Sequence, residues 1–175
     1  VSLEVFADNY KEMKKQAFEI KDWSKNVYVK IPAVNSKGIF SKRIIKDLND
    51  NNIKINITAV YTAKQTSKIL RIINKKTKVI ISLFIGRAAD AGKDPIPELV
   101  KSIRLAKSFK NVEILWASVR EPYNYLQAKQ FGCHIITIQP NIIDQIEKFG
   151  TSYRKLGIDT VKTFLVDSKK SKFKI

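Results

Sequence analysis

Lys30 stands near the end of the run Val27-Tyr28-Val29-Lys30-Ile31-Pro32, where β-branched and aromatic neighbours predict a buried strand. Burial disfavours an ammonium ion, so a lysine there is a candidate amine nucleophile, able to form a Schiff base with a carbonyl substrate. The competing reading is a lysine whose amine snorkels from the strand end to water. Other residues bear on the choice. Polar side chains recur at the C-terminal ends of successive apolar runs: Glu4, Lys30, Asn56 and Thr58, Ser82, Ser118 and Arg120, then Thr137 and Gln139. Where two fall in one run they are two residues apart, so in a strand they share a face. A strand ending at water explains one or two such residues. It explains poorly a ring that, with Arg87 just beyond the fourth run, combines an acid, a lysine, two arginines and hydroxyls.

The elements that must position these residues alternate along the whole chain. Strands are predicted at Val1 to Ala7, Val27 to Ile31, Ile53 to Val60, Val79 to Ile85, Val112 to Val119 and His134 to Ile138. Between them run helical patterns. Asn9 with Glu12 opens the first, and Phe40, Ile44, Ile45 and Leu48 mark the second. Thr62-Ala63-Lys64-Gln65 is a capping box ahead of Ile69, Leu70, Ile72 and Ile73. A loop through Asp90, Gly92 and Pro95 precedes the helix of Leu99, Val100, Ile103 and Ala106. Pro122 opens the next helix and Gly132 closes it. Two short helices finish the chain, the last carrying Val161, Phe164 and Leu165.

Strict βα alternation predicts a parallel sheet covered by helices. An open doubly wound sheet and a (β/α)-barrel both satisfy it. No glycine-rich dinucleotide loop follows the first strand, and the polar ring at the strand ends matches the catalytic face of a barrel. The 175 residues are read as one domain.

Composition narrows the partners. No apolar run is long enough to span a bilayer. With one cysteine, Cys133, a disulfide framework is excluded and a reducing, cytoplasmic setting is expected. Cys133 is read as a packing residue and His134 as a strand residue with a satisfied ring; no second histidine or cysteine completes a metal site. The net charge of +17 invites nucleic acid. However, the lysines are scattered over nearly every helical segment without a stacking aromatic platform, which disfavours that partner. The densest group, Lys169 to Lys174, reads as a frayed terminus.

Val27 to Pro32 resembles the Schiff-base strand of the transaldolase family. Ile55-Asn56-Ile57-Thr58-Ala59-Val60-Tyr61-Thr62 resembles the strand that follows it. Ile81-Ser82-Leu83-Phe84-Ile85-Gly86-Arg87 is similar to the family's S-P-F-V-G-R segment, and Leu115-Trp116-Ala117-Ser118-Val119-Arg120 to its A-S-x-R strand. Glu4 in Ser2-Leu3-Glu4-Val5 matches the acidic residue of the family's third strand. Each motif alone is weak; five in order at family spacing are specific.

The resemblance implies a TIM-type (β/α)8 barrel and a transaldolase-like transferase. No cofactor is implied, and the substrates would be phosphorylated sugars. Lys30 would form the Schiff base, and Glu4 and Thr58 would hold the water used in proton transfers. Asn56 would bind the hydroxyls of a dihydroxyacetone unit. Arg87 and Arg120, with Ser82 and Ser118, would grip phosphate, and Phe84 would wall the pocket. From sequence alone the arginines could equally form surface ion pairs and Phe84 could be core. A fructose 6-phosphate aldolase-like lyase is the sister reading, though that group tends to carry glutamine at the place of Glu4 and tyrosine at that of Phe84. A catalytically inactive transaldolase-like protein is another.

The resemblance also implies a homo-oligomer, since small members often form rings with C-terminal helices packed on neighbours. Departures are visible. About six of eight βα units are counted, so the two N-terminal units are expected to be missing from 1–175. With them would go the first-strand aspartate and the T-N-P motif. Asn35-Ser36-Lys37-Gly38 replaces T-x-E-G, and Leu83 stands where proline is common.

Overall fold

A computed structural model describes residues 1–172 as two compact units, the first Val1–Gln139 and the second beginning at Pro140. The first unit holds six parallel strands: β1 (Ser2–Glu4), β2 (Tyr28–Pro32), β3 (Ile55–Val60), β4 (Val79–Phe84), β5 (Val112–Ala117) and β6 (Ile135–Ile136). Their order in the sheet is their order in the chain. This decides between the two architectures. A doubly wound sheet reverses direction at a switch point, whereas a barrel keeps adding strands on one side. The sheet is a curled half-barrel carrying about six of the βα units of a TIM-type barrel.

Alternation along the strands separates two faces. Val29, Ile31, Ile55, Ile57, Val79, Ile81, Leu83, Ile114 and Trp116 are almost wholly buried and form the outward layer beneath the helices. The residues between them face the concave side. The covering helices of this unit are α1 (Tyr10–Asp22), α2 (Lys42–Asp50), α3 (Ala63–Leu70), α4 (Ile85–Asp90), α5 (Ile96–Ala106) and α6 (Tyr123–Phe131). Met13, Ala17 and Ile20 of α1, and Ile44, Ile45 and Leu48 of α2, are buried, as the helical period requires.

The expected caps are present. Asn9 Oδ1 accepts from Glu12 N, and Thr62 and Gln65 satisfy each other's backbone N–H groups as a capping box. Gly132 takes a left-handed φ of 78° that closes α6.

Three expectations need correction. The segment after β4 is not loop throughout: residues 85–90 form the short helix α4, which starts directly at the strand end. The outer strands are shorter than predicted, because β1 and β6 each pair on one side only among the described residues. In the second unit, α7 (Pro140–Ile146) is short, but α8 (Tyr153–Ser171) runs for 19 residues. Its helix-forming sequence tolerates Gly157 and stops only where Lys172 turns left-handed, at φ 56°. Residues 173 and 174 of the basic tail lie outside the described residues, while Lys169 and Lys170 belong to α8.

Candidate active site

The concave face of the half-barrel bounds a cleft of about 650 Å³. Its lining follows the two-residue period: Tyr28 and Lys30 from β2, Asn56 and Thr58 from β3, Ile80, Ser82 and Phe84 from β4, Glu113, Leu115 and Ala117 from β5. Arg87 and Ser118 stand at the rim. Seven of the nine residues singled out from sequence therefore line one cavity. Glu4 touches the Lys30 amine but lines a separate cavity beside α1, and Arg120 is held elsewhere.

Register places the nucleophile candidate. Lys30 pairs with Glu4 across β1 and β2 and with Asn56 across β2 and β3, which puts these three residues at one level of the sheet. Lys30 Nζ lies 3.2 Å from Glu4 Oε2. The strand backbone is buried, but the Lys30 side chain keeps 29% of its exposure because it points into the open cleft. The amine lies between the two readings of the run, half-buried beside a carboxylate.

Asn56 and Ser82 form a fixed polar floor. Ser82 Oγ donates to Asn56 Oδ1 at 2.7 Å, and Asn56 Nδ2 donates to Ser2 Oγ at 3.0 Å. Asn56 therefore keeps one N–H for a ligand. Thr58 is 2% exposed, and its hydroxyl has no partner among the described residues. A buried hydroxyl facing a cleft is a place for a bound water or a substrate hydroxyl.

The end of the cleft that holds Arg87 and Ser118 is built by β4, α4 and the segment after β5. Arg87 in α4 lies over the Phe84 ring, 5.1 Å from its centroid, and Tyr61 packs edge-on against Phe84 at 5.9 Å. Ser118 has a φ of 62°, and Ala59 beside Thr58 has one of 55° at a register shift between β3 and β4. Both strained positions adjoin cleft residues. Gly86 is required by closeness: a Cβ there would stand 1.6 Å from the Ser118 carbonyl oxygen and 2.9 Å from Arg120 Cγ.

Arg120 does not line the cleft. Its Nε donates to both Asp90 carboxylate oxygens, at 3.0 and 2.9 Å, and its Nη2 donates to Oδ2 at 2.6 Å. The Arg120 hydrogen bond holds the Asp90 carboxyl below the usual carboxylate range.

Residues not anticipated from sequence also shape the cleft. Tyr28 and Glu113 both face it. Burial, with a smaller push from the Glu113 carboxylate, raises the Tyr28 phenol above its ordinary value. The signal was available: Tyr28 is two residues before Lys30, and Glu113 alternates with Leu115 and Ala117. His134 lies just before β6, not in it; its Nδ1 accepts from Ile114 N at 3.0 Å, so the ring is satisfied as expected. Burial pushes the Cys133 thiol up to about 12.

Comparison with known proteins agrees with this geometry. The chain matches the Transaldolase/Fructose-6-phosphate aldolase family over residues 1–175. Among similar proteins, a probable transaldolase of Thermoanaerobacter sp. (strain X514) is 29% identical over 90% of this chain and 74% of its own. One from Nitrosopumilus maritimus (strain SCM1) is 29% identical over 98% and 72%. One from Dehalococcoides mccartyi (strain ATCC BAA-2266 / KCTC 15142 / 195) is 32% identical over 83% and 64%. The motifs on β2 to β5, their register around one cleft and the match along all 175 residues lead to one assignment: the chain belongs to the transaldolase/fructose-6-phosphate aldolase family.

Proposed function

We propose that the protein is a transaldolase-like transferase that moves a dihydroxyacetone unit between phosphorylated sugars through a Schiff base on Lys30. The observation that carries this reading is the Lys30 amine, 3.2 Å from the Glu4 carboxylate and facing a cleft that has Asn56 and Ser82 on its floor and Arg87 at its rim.

The chemistry follows from the amine. Lys30 Nζ adds to the ketone carbon of a ketose phosphate, and loss of water gives an imine. Protonated, the imine at C2 accepts the electron pair of the C3–C4 bond as that bond breaks and the C4 hydroxyl gives up its proton, which releases an aldehyde. The enamine left on Lys30 attacks an acceptor aldehyde, and hydrolysis then frees the amine. On this reading Glu4, beside the amine, and the Thr58 hydroxyl hold the water through which protons move; the Lys30–Glu4 contact and the absence of a partner for Thr58 among the described residues support it. Asn56 orients the hydroxyls of the three-carbon unit with its remaining N–H. Arg87 and Ser118 meet the phosphate, to which an arginine presents a planar fork of donors. Phe84, fixed by Tyr61, walls the pocket beneath Arg87.

The same reading makes the protein a cytoplasmic enzyme of phosphosugar metabolism that works as a homo-oligomer. Among the described residues, no helix is long and apolar enough to cross a membrane.

Borohydride reduction in the presence of fructose 6-phosphate, followed by peptide mass spectrometry, tests the mechanism. The expected result is a stable adduct on Lys30 that is absent in Lys30→Met. No adduct in the folded protein would sink the imine chemistry. Added erythrose 4-phosphate then separates transfer from simple cleavage: a transferase turns over only with the acceptor, an aldolase without it.

A further inference from the structure

Arg120, like Glu4, is a motif residue that the cleft lining does not include, and for Arg120 its partner explains why. Asp90 takes the guanidinium along one edge, through Nε and Nη2. An arginine has five N–H donors, so Nη1 and the second hydrogen of Nη2 remain on the outer edge. No other acceptor for them is found among the described residues. The stem of Arg120 is also fixed. Gly86 leaves no room for a Cβ between its own backbone, the Ser118 carbonyl and Arg120 Cγ, so the side chain passes over the start of α4. Arg87 is one residue beyond Gly86, and both Arg87 and Ser118 line the cleft. Arg120 is therefore next to the end of the cleft that holds Arg87 and Ser118, clamped, with three of its five donors open.

We propose that Asp90 is a positioning residue for the phosphate grip: it holds the Arg120 guanidinium by one edge so that the opposite edge meets the phosphate of a sugar bound at Lys30. This rests on the phosphosugar reading above and adds to it a residue outside the cleft. α4 then does two jobs within one turn. Arg87 is presented to the cleft directly, and Asp90, three residues on along the same helical face, fixes the second arginine. With Asp90 present the two guanidinium groups carry a net charge of +1 between them and do not drive each other apart. Without it, Arg120 is a solvated side chain free to leave the rim, and the ordering of its fork falls on the binding step.

Calorimetric titration with fructose 6-phosphate and, separately, inorganic phosphate tests the proposal on the whole chain. Asp90→Asn keeps the shape and removes the charge; it is expected to weaken binding of both probes about tenfold, with Asp90→Glu recovering most of the loss. In an Arg120→Ala background, Asp90→Asn is expected to add nothing, since its effect runs through Arg120. Trapping of unphosphorylated dihydroxyacetone on Lys30 is expected to be unchanged by Asp90→Asn, which a merely structural role would not predict. Unchanged or tighter phosphate binding in Asp90→Asn overturns the proposal. So does an equal loss with Arg120 already removed, or a parallel loss of the dihydroxyacetone adduct. Failure of the unmodified protein to bind either probe overturns the phosphosugar reading itself, and this proposal with it. Binding without an adduct overturns the imine chemistry alone.

Discussion

Asn56 is held from two sides and is nearly inaccessible: Ser82 donates to its carbonyl oxygen, and its amide donates to Ser2. Ser82→Ala removes the donor and leaves a buried carbonyl oxygen without a partner. The expected cost is about 1–3 kcal/mol of folding stability, read as a lower urea midpoint, because an unsatisfied buried acceptor loses its hydration without compensation. An unchanged midpoint would mean that water from the cleft replaces the serine. At this scale the sequence was informative wherever a residue sits on a strand. The polar strand ends mark Lys30, Asn56, Thr58 and Ser82, the period of two puts Asn56 and Thr58 on one face, and Phe84 is marked only by the family resemblance. The sequence was silent where a residue's role depends on a partner outside the strands. Nothing in Ser118-Val119-Arg120 says that the arginine will meet Asp90, thirty residues earlier and at the end of a helix. The choice between a buried and a snorkelling Lys30 stays open in the sequence for a similar reason: an apolar run reports the burial of the strand, whereas the side chain points into an open concavity.

α4 shows how an element can be hidden. Ile85 to Asp90 follows β4 without a cap, and Gly86 near its start reads as a loop signal. The glycine is there because the helix presses against the end of β5. Gly86→Ala would force its Cβ into the Ser118 carbonyl, where the obstacle is backbone and cannot rotate away. The expected loss is about 3 kcal/mol, at the upper end for overpacking, with phosphate binding lost at the same time because Ser118 and Arg120 shift. A variant as stable as the parent would show that α4 can withdraw from β5. Elements with local signals were legible, as the Thr62–Gln65 box and the Gly132 stop illustrate. Contacts between elements carry their own pH dependence. Asp47 of α2 receives Lys14 Nζ and the Tyr10 hydroxyl of α1, both at 2.8 Å. The Lys14 bond, then the Tyr10 bond, holds its carboxyl below the usual range. A carboxyl lowered in the folded state stabilises the fold above its unfolded pKa of about 3.9, and that contribution is lost as pH falls through the folded value. The urea midpoint is therefore expected to fall below about pH 4, and Asp47→Asn to flatten part of that fall. An identical acid slope in the variant would remove Asp47 from the account.

For the molecule as a whole, strict βα alternation, the polar strand ends and the sequential strand order all pointed to a barrel, since each follows from strand-by-strand addition around one axis. The second unit was harder to read. A sequence pattern gives α8 an apolar stripe, Ile158, Val161 and Leu165 with Phe164 beside them, and a stripe of that kind predicts burial. None of α8 is buried, and Phe164 and Leu165 keep 64% and 57% of their exposure. We expect a second copy of the chain to cover this face through the apolar stripe, whose exposed side chains two such helices laid together would bury. The expected outcome is a mass by light scattering that is a multiple of the monomer. Phe164→Asp with Leu165→Asp should convert it to monomer with the far-ultraviolet circular dichroism intact, because these side chains take no part in the core. A parent protein that is monomeric across the concentrations used for activity would refute self-association through α8. A double variant that keeps the multiple would move the interface to another surface.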